Sequence, residues 1–335
     1  MTPPPVERST APVSRRARAI YLVARLLLSR MVLSTVFAAD RQMAATRIAR
    51  LGRRVNRIAR LQRVLPFRRF RLTTAVWNGL RVETVSLRDV PFTTDAGIIL
   101  YFHGGGFVLG DLNTHIRAVT TLARATRLPV VHIDYRQFPA VDLATSIQDC
   151  LDAYRTLLDR HVDPTKVIIA GDSAGGFLAF STAQRAAASG LPAPAGVVGI
   201  SPLLELDNTA RVTHASTPMD VFGLTAVLPI LGGQLWATDD LAHQLEPVSG
   251  PVEAMPPALI VASSAESLLS DAERMQVRMT EAGRHCDVVT WPSQLHAFPA
   301  IFPRLPESRQ AFARIACFIA DRLSPAADEP RSRPA

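Results

Sequence analysis

Cysteine, acidic residues near the N-terminus and long unbroken apolar runs are what this 335-residue chain has least of. Its three cysteines, Cys150, Cys286 and Cys317, are odd in number and far apart, which excludes a disulfide framework and reads as free thiols. No histidine or cysteine spacing resembles a metal site, no phosphate-cradling glycine loop is present, and no internal repeat is visible. The nearest thing to a membrane span, Ile20 to Phe37, is interrupted by Arg25 and Arg30. Each arginine would cost about 2.5–3.5 kcal/mol at the centre of a bilayer, so the stretch reads as neither a spanning helix nor an intact signal-peptide core. The expectation is a cytoplasmic protein.

Acidic residues are almost missing from residues 1 to 71, where seventeen arginines face only Glu7 and Asp40. That segment carries +15, so the rest of the chain carries −7 of the overall +8. A charge this local, without any nucleic-acid motif, argues against nucleic acid as a partner. Ile48, Leu51, Val55 and Ile58 recur there at helical spacing, with Arg47, Arg50, Arg53, Arg54, Arg57 and Arg60 between them. Such a basic amphipathic helix suits two roles: a cap packed over an active site with its charged face in water, or peripheral contact with an anionic membrane. The favoured division is a disordered tail over 1–14, a basic helical cap region over 15–71, a catalytic domain over 72–323 and a second disordered tail over 324–335.

Beyond the basic segment, 48% hydrophobic and 20% charged residues give an ordinary globular balance. Short apolar, β-branched runs alternate with helical patterns, which predicts an α/β fold: a mostly parallel sheet covered by helices on both faces. The expected strands are Val82 to Leu87, Ile98 to Phe102, Val130 to Asp134, Val167 to Ala170, Val197 to Ile200, Ala258 to Ala262 and Asp287 to Thr290.

Two of these strands end in motifs that carry chemistry. After Val167 to Ala170 comes Gly171-Asp172-Ser173-Ala174-Gly175-Gly176, and an alanine-rich helical stretch follows up to Gly190. A G-x-S-x-G turn between strand and helix holds its serine strained and exposed, with glycines where no side chain fits, so Ser173 is the nucleophile candidate. After Ile98 to Phe102 comes His103-Gly104-Gly105-Gly106, whose unshielded N–H groups can turn toward a developing oxyanion.

A serine hydroxyl needs a base, and the base needs a carboxylate to orient it. Of eight histidines, His132 sits inside an apolar strand, and His161 and His285 in polar connections. His296 lies in a loop just past a strand, where sheet proteins place reacting groups. For the acid there are two candidates after Ala258 to Ala262. Ser270 and Glu273 read as a helix capping box, which makes Asp271 a first-turn residue favoured by the helix dipole and leaves Glu266 as the loop carboxylate. Asp271 stays as the runner-up. The order Ser173, Glu266, His296 is that of α/β-hydrolases.

These residues resemble the HGGG-type, hormone-sensitive-lipase-like family of α/β-hydrolases, which holds bacterial carboxylesterases and lipases. The resemblance runs through Tyr101 to Gly110, Asp134-Tyr135-Arg136, Asp163-Pro164 to Gly176, Ser201-Pro202, Pro256-Pro257, Glu266 to Asp271 and Leu295-His296-Ala297-Phe298, so it covers roughly residues 80 to 323. It implies an α/β-hydrolase fold with an N-terminal helical cap, Ser173 as nucleophile, His296 as base and acid, Glu266 as orienting carboxylate, and an oxyanion hole from the N–H groups of Gly105, Gly106 and Ala174. His103, Gly104 and Asp172 complete the two motifs. Gln137-Phe138-Pro139-Ala140 departs from the family's L-A-P-E, and Phe177 stands where asparagine is common. Both departures bear on substrate more than on chemistry.

The expected activity is hydrolysis of a small-molecule ester or lipid through an acyl-enzyme, without cofactor or metal. An amidase or deacetylase using the same triad and a non-catalytic ligand-binding module are the alternatives, and the presence of His296 weighs against the last.

Overall fold

The computed structural model describes residues 4–36, 41–63, 67–236 and 239–324. Nine strands form one sheet: β1 (Glu7–Arg8), β2 (Phe70–Trp77), β3 (Leu80–Leu87), β4 (Ile98–Phe102), β5 (Val130–Asp134), β6 (Val167–Asp172), β7 (Gly196–Ile200), β8 (Ala258–Ser263) and β9 (Cys286–Trp291). Their order across the sheet is β1-β9-β8-β7-β6-β4-β5-β3-β2. Among the described residues only the β2–β3 and β3–β5 pairs are antiparallel. Every residue of β4, β6, β7 and β8 is buried, as strands covered on both faces require.

Alternation along β4 divides the core in two. Ile98, Leu100 and Phe102 face one hydrophobic cluster, under the helices Leu143–Asp159, Ala174–Ala188 and Leu269–Glu281. Ile99 and Tyr101 face the other, under Ile116–Thr126 and Pro306–Leu323. The helix Ala174–Ala188 buries nearly its whole circumference, which explains its run of alanines and apolar residues where an ordinary surface helix would carry charge.

All seven expected strands form, most of them a residue or two longer. Two were not anticipated. β2 pairs with β3 through a two-residue turn, Asn78-Gly79, with both residues at positive φ. Asn-Gly is the residue pair that such a turn selects, so Trp77-Asn78-Gly79-Leu80 did carry the signal. β2 therefore begins at Phe70, inside the segment assigned to the cap region. β1 lies in the segment 1–14 expected to be disordered. Glu7 and Arg8 instead pair with Val289 and Thr290, and the buried Glu307 carboxylate accepts hydrogen bonds from the Ser14 N–H and hydroxyl. Of the tail read as disordered at the other end, 325–335 lies outside the described residues.

The basic segment forms the helices Arg15–Val36 and Arg41–Ala59. Both pack on the helix Leu224–Leu235. The second helix turns Gly52, Asn56 and Ala59 inward: a Cβ on Gly52 would meet Leu109 Cβ and Val108 O at 2.8 Å, and the Asn56 amide bonds both the N–H and the carbonyl of Gly110 at 3.0 Å. Its apolar stripe is not the buried face. Leu51, Val55 and Ile58 are 50%, 38% and 65% exposed, which corrects the packed-stripe picture of the cap; the side chain of Ile48 lies outside the described residues. Arg63 closes the segment with a bidentate bond to the buried Glu83 carboxylate at 2.8 and 3.0 Å.

Candidate active site

The strand-to-helix turn after β6 holds Ser173 at φ 52°, a conformation that L-residues seldom adopt. Its neighbours show why glycines flank it. A Cβ on Gly171 would stand 2.2 Å from the Gly175 carbonyl oxygen, and one on Gly175 would stand 2.0 Å from that of Phe102. The Ser173 N–H donates to the Ile200 carbonyl at 2.9 Å, which pins the turn to the next strand.

His296 reaches this turn from the loop after β9. Its Nε2 is 2.9 Å from Ser173 Oγ and its Nδ1 is 2.5 Å from Glu266 Oε2. Because a carboxylate only accepts, Nδ1 carries the proton and Nε2 is left free to accept from the serine hydroxyl. The other Glu266 oxygen accepts from Ser201 Oγ at 2.7 Å and from the Ser263 N–H at 2.6 Å. Ser201 Oγ in turn accepts from the Ala297 N–H at 3.0 Å. One hydroxyl thus ties the acid and the histidine loop together, a role that a lone Ser-Pro dipeptide does not announce. Burial alone would depress the His296 pKa, but the hydrogen bond and charge of Glu266, helped by Asp220 and Asp172, raise it above the ordinary histidine value.

Asp271 is elsewhere. Fully buried, it accepts from Arg211 Nε at 3.0 Å and Nη2 at 2.8 Å, and from the N–H groups of Leu204 and Glu205 at 2.8 and 3.1 Å. The expected capping box does not form, because the helix begins at Leu269 with Leu268 as its N-cap, which puts Ser270 inside the first turn. Asp271 does lie in the first turn of this helix, and there it serves a buried ion pair with Arg211.

The glycine loop after β4 is held from beneath. Asp172 Oδ1 accepts from Tyr101 Oη at 2.6 Å and from the Gly104 N–H at 3.1 Å, while Oδ2 lies 3.2 Å from His115 Nε2. Burial pushes the Asp172 pKa up, yet His115 and the Tyr101 hydroxyl more than reverse it and leave the carboxyl below its usual range. His103 is fully buried, and burial with repulsion from His115 lowers its pKa to about 4. Neutral, it donates from Nδ1 to the Gly104 carbonyl at 3.0 Å. Above this base the chain turns at Gly105 (φ 128°) and Gly106 (φ 62°). A Cβ on Gly105 would fall 1.9 Å from the Leu109 carbonyl oxygen. Among the described residues, the N–H groups of Gly105, Gly106 and Ala174 donate to no protein atom.

Ser173, His296 and these glycines open onto a cavity of about 270 Å³ walled by Val108, Leu109, Leu228, Leu231, Leu268 and Ile301. The chain supplies no charged residue along Leu224–Leu235, the helix that makes much of this wall, and that charge-free run was the available signal for it. No described residue of the N-terminal helices lines the cavity; Gly52 packs behind its wall residues Val108 and Leu109.

Sheet order, elbow and cavity together define an α/β-hydrolase, and residues 99–300 match the family described as having the alpha/beta hydrolase fold. The chain belongs to this family, in its bacterial hormone-sensitive-lipase-like esterase branch. It is 34% identical over 243 residues to the carboxylesterase/phospholipase LipF of Mycobacterium tuberculosis, a match covering 70% of this chain and 65% of that protein. It is 32% identical over 228 residues to the esterase LipU of the same organism, covering 66% and 76%. It also superposes on a crystal structure of an esterase from the bacterial hormone-sensitive lipase family, with TM-score 0.70, 26% identity and coverage of 90% and 99%.

Proposed function

We propose that this chain is a serine carboxylic-ester hydrolase. Ser173 Oγ attacks the ester carbonyl while His296 Nε2 takes its proton, Glu266 fixes the imidazole and steadies the imidazolium, and the N–H groups of Gly105, Gly106 and Ala174 receive the oxyanion. His296 then protonates the departing alcohol, and an acyl group remains on Ser173. Water, deprotonated by the same histidine, attacks the acyl-enzyme, and the serine is regenerated. The observation that carries this reading is the unbroken hydrogen-bonded line from Glu266 through His296 to Ser173, ending beside three unpartnered N–H groups. An apolar cavity of about 270 Å³ suits a small to medium acyl chain, and the activity in the name of LipF extends the candidate substrates to lipid esters. Ser173→Ala should abolish hydrolysis of p-nitrophenyl esters and labelling by an organophosphate, with the fold unchanged by circular dichroism; retention of more than a few per cent of activity in protein free of contaminating esterase would refute it.

We further infer that residues 15–71 bring the enzyme to anionic membranes. Apart from Tyr21, the buried residues described on both helices are small, Ala17 and Ala24 in one, Gly52 and Ala59 in the other, and large apolar ones are exposed. Leu22, Val23, Leu26 and Leu27 are more than half exposed, as are Ile58 and Leu61. No helix among the described residues is long and apolar enough to cross a membrane, so the contact is peripheral. Large side chains in water beside a segment of net +15 fit an interface that offers acyl chains and negative head groups together. Phosphatidylglycerol vesicles should sediment the full chain at low ionic strength and release it as salt screens the charge. The triple variant Leu51→Ser, Val55→Ser, Ile58→Ser should bind more weakly, and absence of any binding by the natural chain at low salt would end this part of the reading.

A further inference from the structure

A second groove, of about 350 Å³, opens between the start of β2, the helix Ile116–Thr126 and the turn before Pro306–Leu323. Its rim carries Arg68, Arg69, Arg117, Arg124, Arg304 and Arg309, and among the described residues its lining contains no carboxylate. Several arginines elsewhere in the fold are matched with acid: Arg63 with Glu83, Arg136 with Asp149, Arg211 with Asp271 and Arg314 with Asp287. None of the six around the groove enters an ion pair with any described residue. Glu307, near in sequence, is buried and bonded to Ser14.

Six guanidinium groups around one depression repel one another, a cost that water and salt screen in part and a bound anion relieves further; Asp89 shares an adjoining depression with Arg69 and Arg124 but is paired with Arg127 at 3.7 Å. The floor beneath them is organic in character. Phe67 and Phe70 meet edge to face with centroids 6.5 Å apart, Arg124 lies over the Phe70 ring at 5.5 Å, and Pro303 closes the far side. An inorganic ion would use the rim and leave the floor empty. Arg117, Pro303 and Arg304 also line a neighbouring depression with Arg16 and Ile301, and Ile301 is a wall of the acyl cavity, so the basic surface runs up to the mouth of the active site.

We propose that this groove binds a phosphate group carried on an apolar or aromatic body, the guanidinium forks taking the phosphate oxygens and the Phe67, Phe70 and Pro303 floor taking the body. The site uses no member of the catalytic triad and does not rest on the ester-hydrolase reading. Two sources present this chemistry, an anionic lipid head group and a soluble organic phosphate.

Calorimetric titration of the full chain with phenyl phosphate at fixed ionic strength should show saturable one-to-one binding, tighter than that of inorganic phosphate. Arg117→Gln combined with Arg304→Gln removes two charge-assisted contacts and should weaken phenyl phosphate by about tenfold or more. Both side chains reach the surface, and an unchanged thermal midpoint establishes that the variant is folded. Arg53→Gln combined with Arg57→Gln removes the same charge from the helix Arg41–Ala59 and should change the affinity less than about twofold, since screened charge at a distance contributes little. Absence of saturable binding, or equal loss in the two double variants, would overturn the site in favour of diffuse attraction. Phosphatidylglycerol vesicles separate the sources: a head-group site loses vesicle binding together with phenyl phosphate binding in the groove variant, whereas a site for soluble ligand loses phenyl phosphate alone.

Discussion

Replacing Glu266 by glutamine exchanges one carboxylate oxygen for an amide nitrogen and leaves the side-chain volume nearly unchanged. Glu266 accepts three hydrogen bonds, from His296 Nδ1, Ser201 Oγ and the Ser263 N–H. Two of those donors converge on Oε1, so the amide oxygen of glutamine will take that side and its NH₂ group will face His296. An NH₂ cannot accept, so Nδ1 must become the acceptor and the proton moves to Nε2, where it blocks acceptance from Ser173 Oγ 2.9 Å away. The analogous tautomer trap in Ser-His-Asp enzymes costs about 10⁴ in kcat, or roughly 5.4 kcal/mol of barrier at 1.36 kcal/mol per decade. Steady-state hydrolysis of p-nitrophenyl acetate measures it. The pH profile supplies a second readout. The base must be neutral to act, and its folded-state pKa is raised, so kcat/KM of the natural enzyme should fall as pH drops through a value above that of an ordinary histidine. Without the Glu266 charge, burial is left to depress the imidazolium, and the acid limb of whatever activity survives should move to lower pH. A loss below about tenfold in folded protein, against the 10⁴ expected, with an unmoved acid limb, would refute the assignment of Glu266 as the orienting acid.

Two further substitutions separate chemistry from framework. Asp271→Asn strands the fully buried Arg211 and should cost about 3–5 kcal/mol of stability in denaturant unfolding, with kcat within a few-fold of the natural enzyme at a temperature where the variant is folded; a kcat loss exceeding that of Glu266→Gln would return the catalytic role to Asp271. Gly105→Ala meets the Leu109 carbonyl at a φ that disfavours any side chain, and by displacing an oxyanion donor should lower kcat by about 10²–10³. Unchanged kcat in that variant would remove the Gly105 N–H from the oxyanion site.

The parallel strands were readable because they are buried on both faces and so appear as continuous apolar runs closed by glycine motifs. β2 escaped because only its ends, Phe70 and Trp77, are buried, and the residues between them look like an exposed connection. Its evidence lay in the Asn78-Gly79 turn. β1 is two charged residues joined to β9 across almost the whole length of the chain, a pairing to which no local pattern points. At the site, Ser173, His296 and Glu266 were legible because each follows a strand pattern in the expected order. What holds them was not: Ser201 and Ser263 serve Glu266 from just past β7 and from the end of β8, and Arg211 claims Asp271 from sixty residues away. The apparent capping box at Ser270 misled because a local motif competes with a long-range partner that only the folded chain brings near. The apolar stripe at Leu51, Val55 and Ile58 misled in the opposite sense, since helical periodicity shows that one face is apolar without saying what that face touches.

The two hydrogen bonds between Asn56 and Gly110 make the N-terminal helices poor candidates for a detachable module. Gly110 closes the loop that begins with Gly104, Gly105 and Gly106; its N–H is satisfied by a residue more than fifty positions upstream, and its carbonyl is shared between that residue and Gln137. A shortened gene beginning near residue 65 would encode an enzyme with an unpaired Gly110 N–H, and any slower turnover would say nothing about whether the missing helices touch substrate. By the same reasoning, grafting these helices onto a relative should leave the recipient's loop intact only where it offers an equivalent of Gly110 and room for Gly52. In this chain the N-terminal helices and the glycine loop are inherited as one piece.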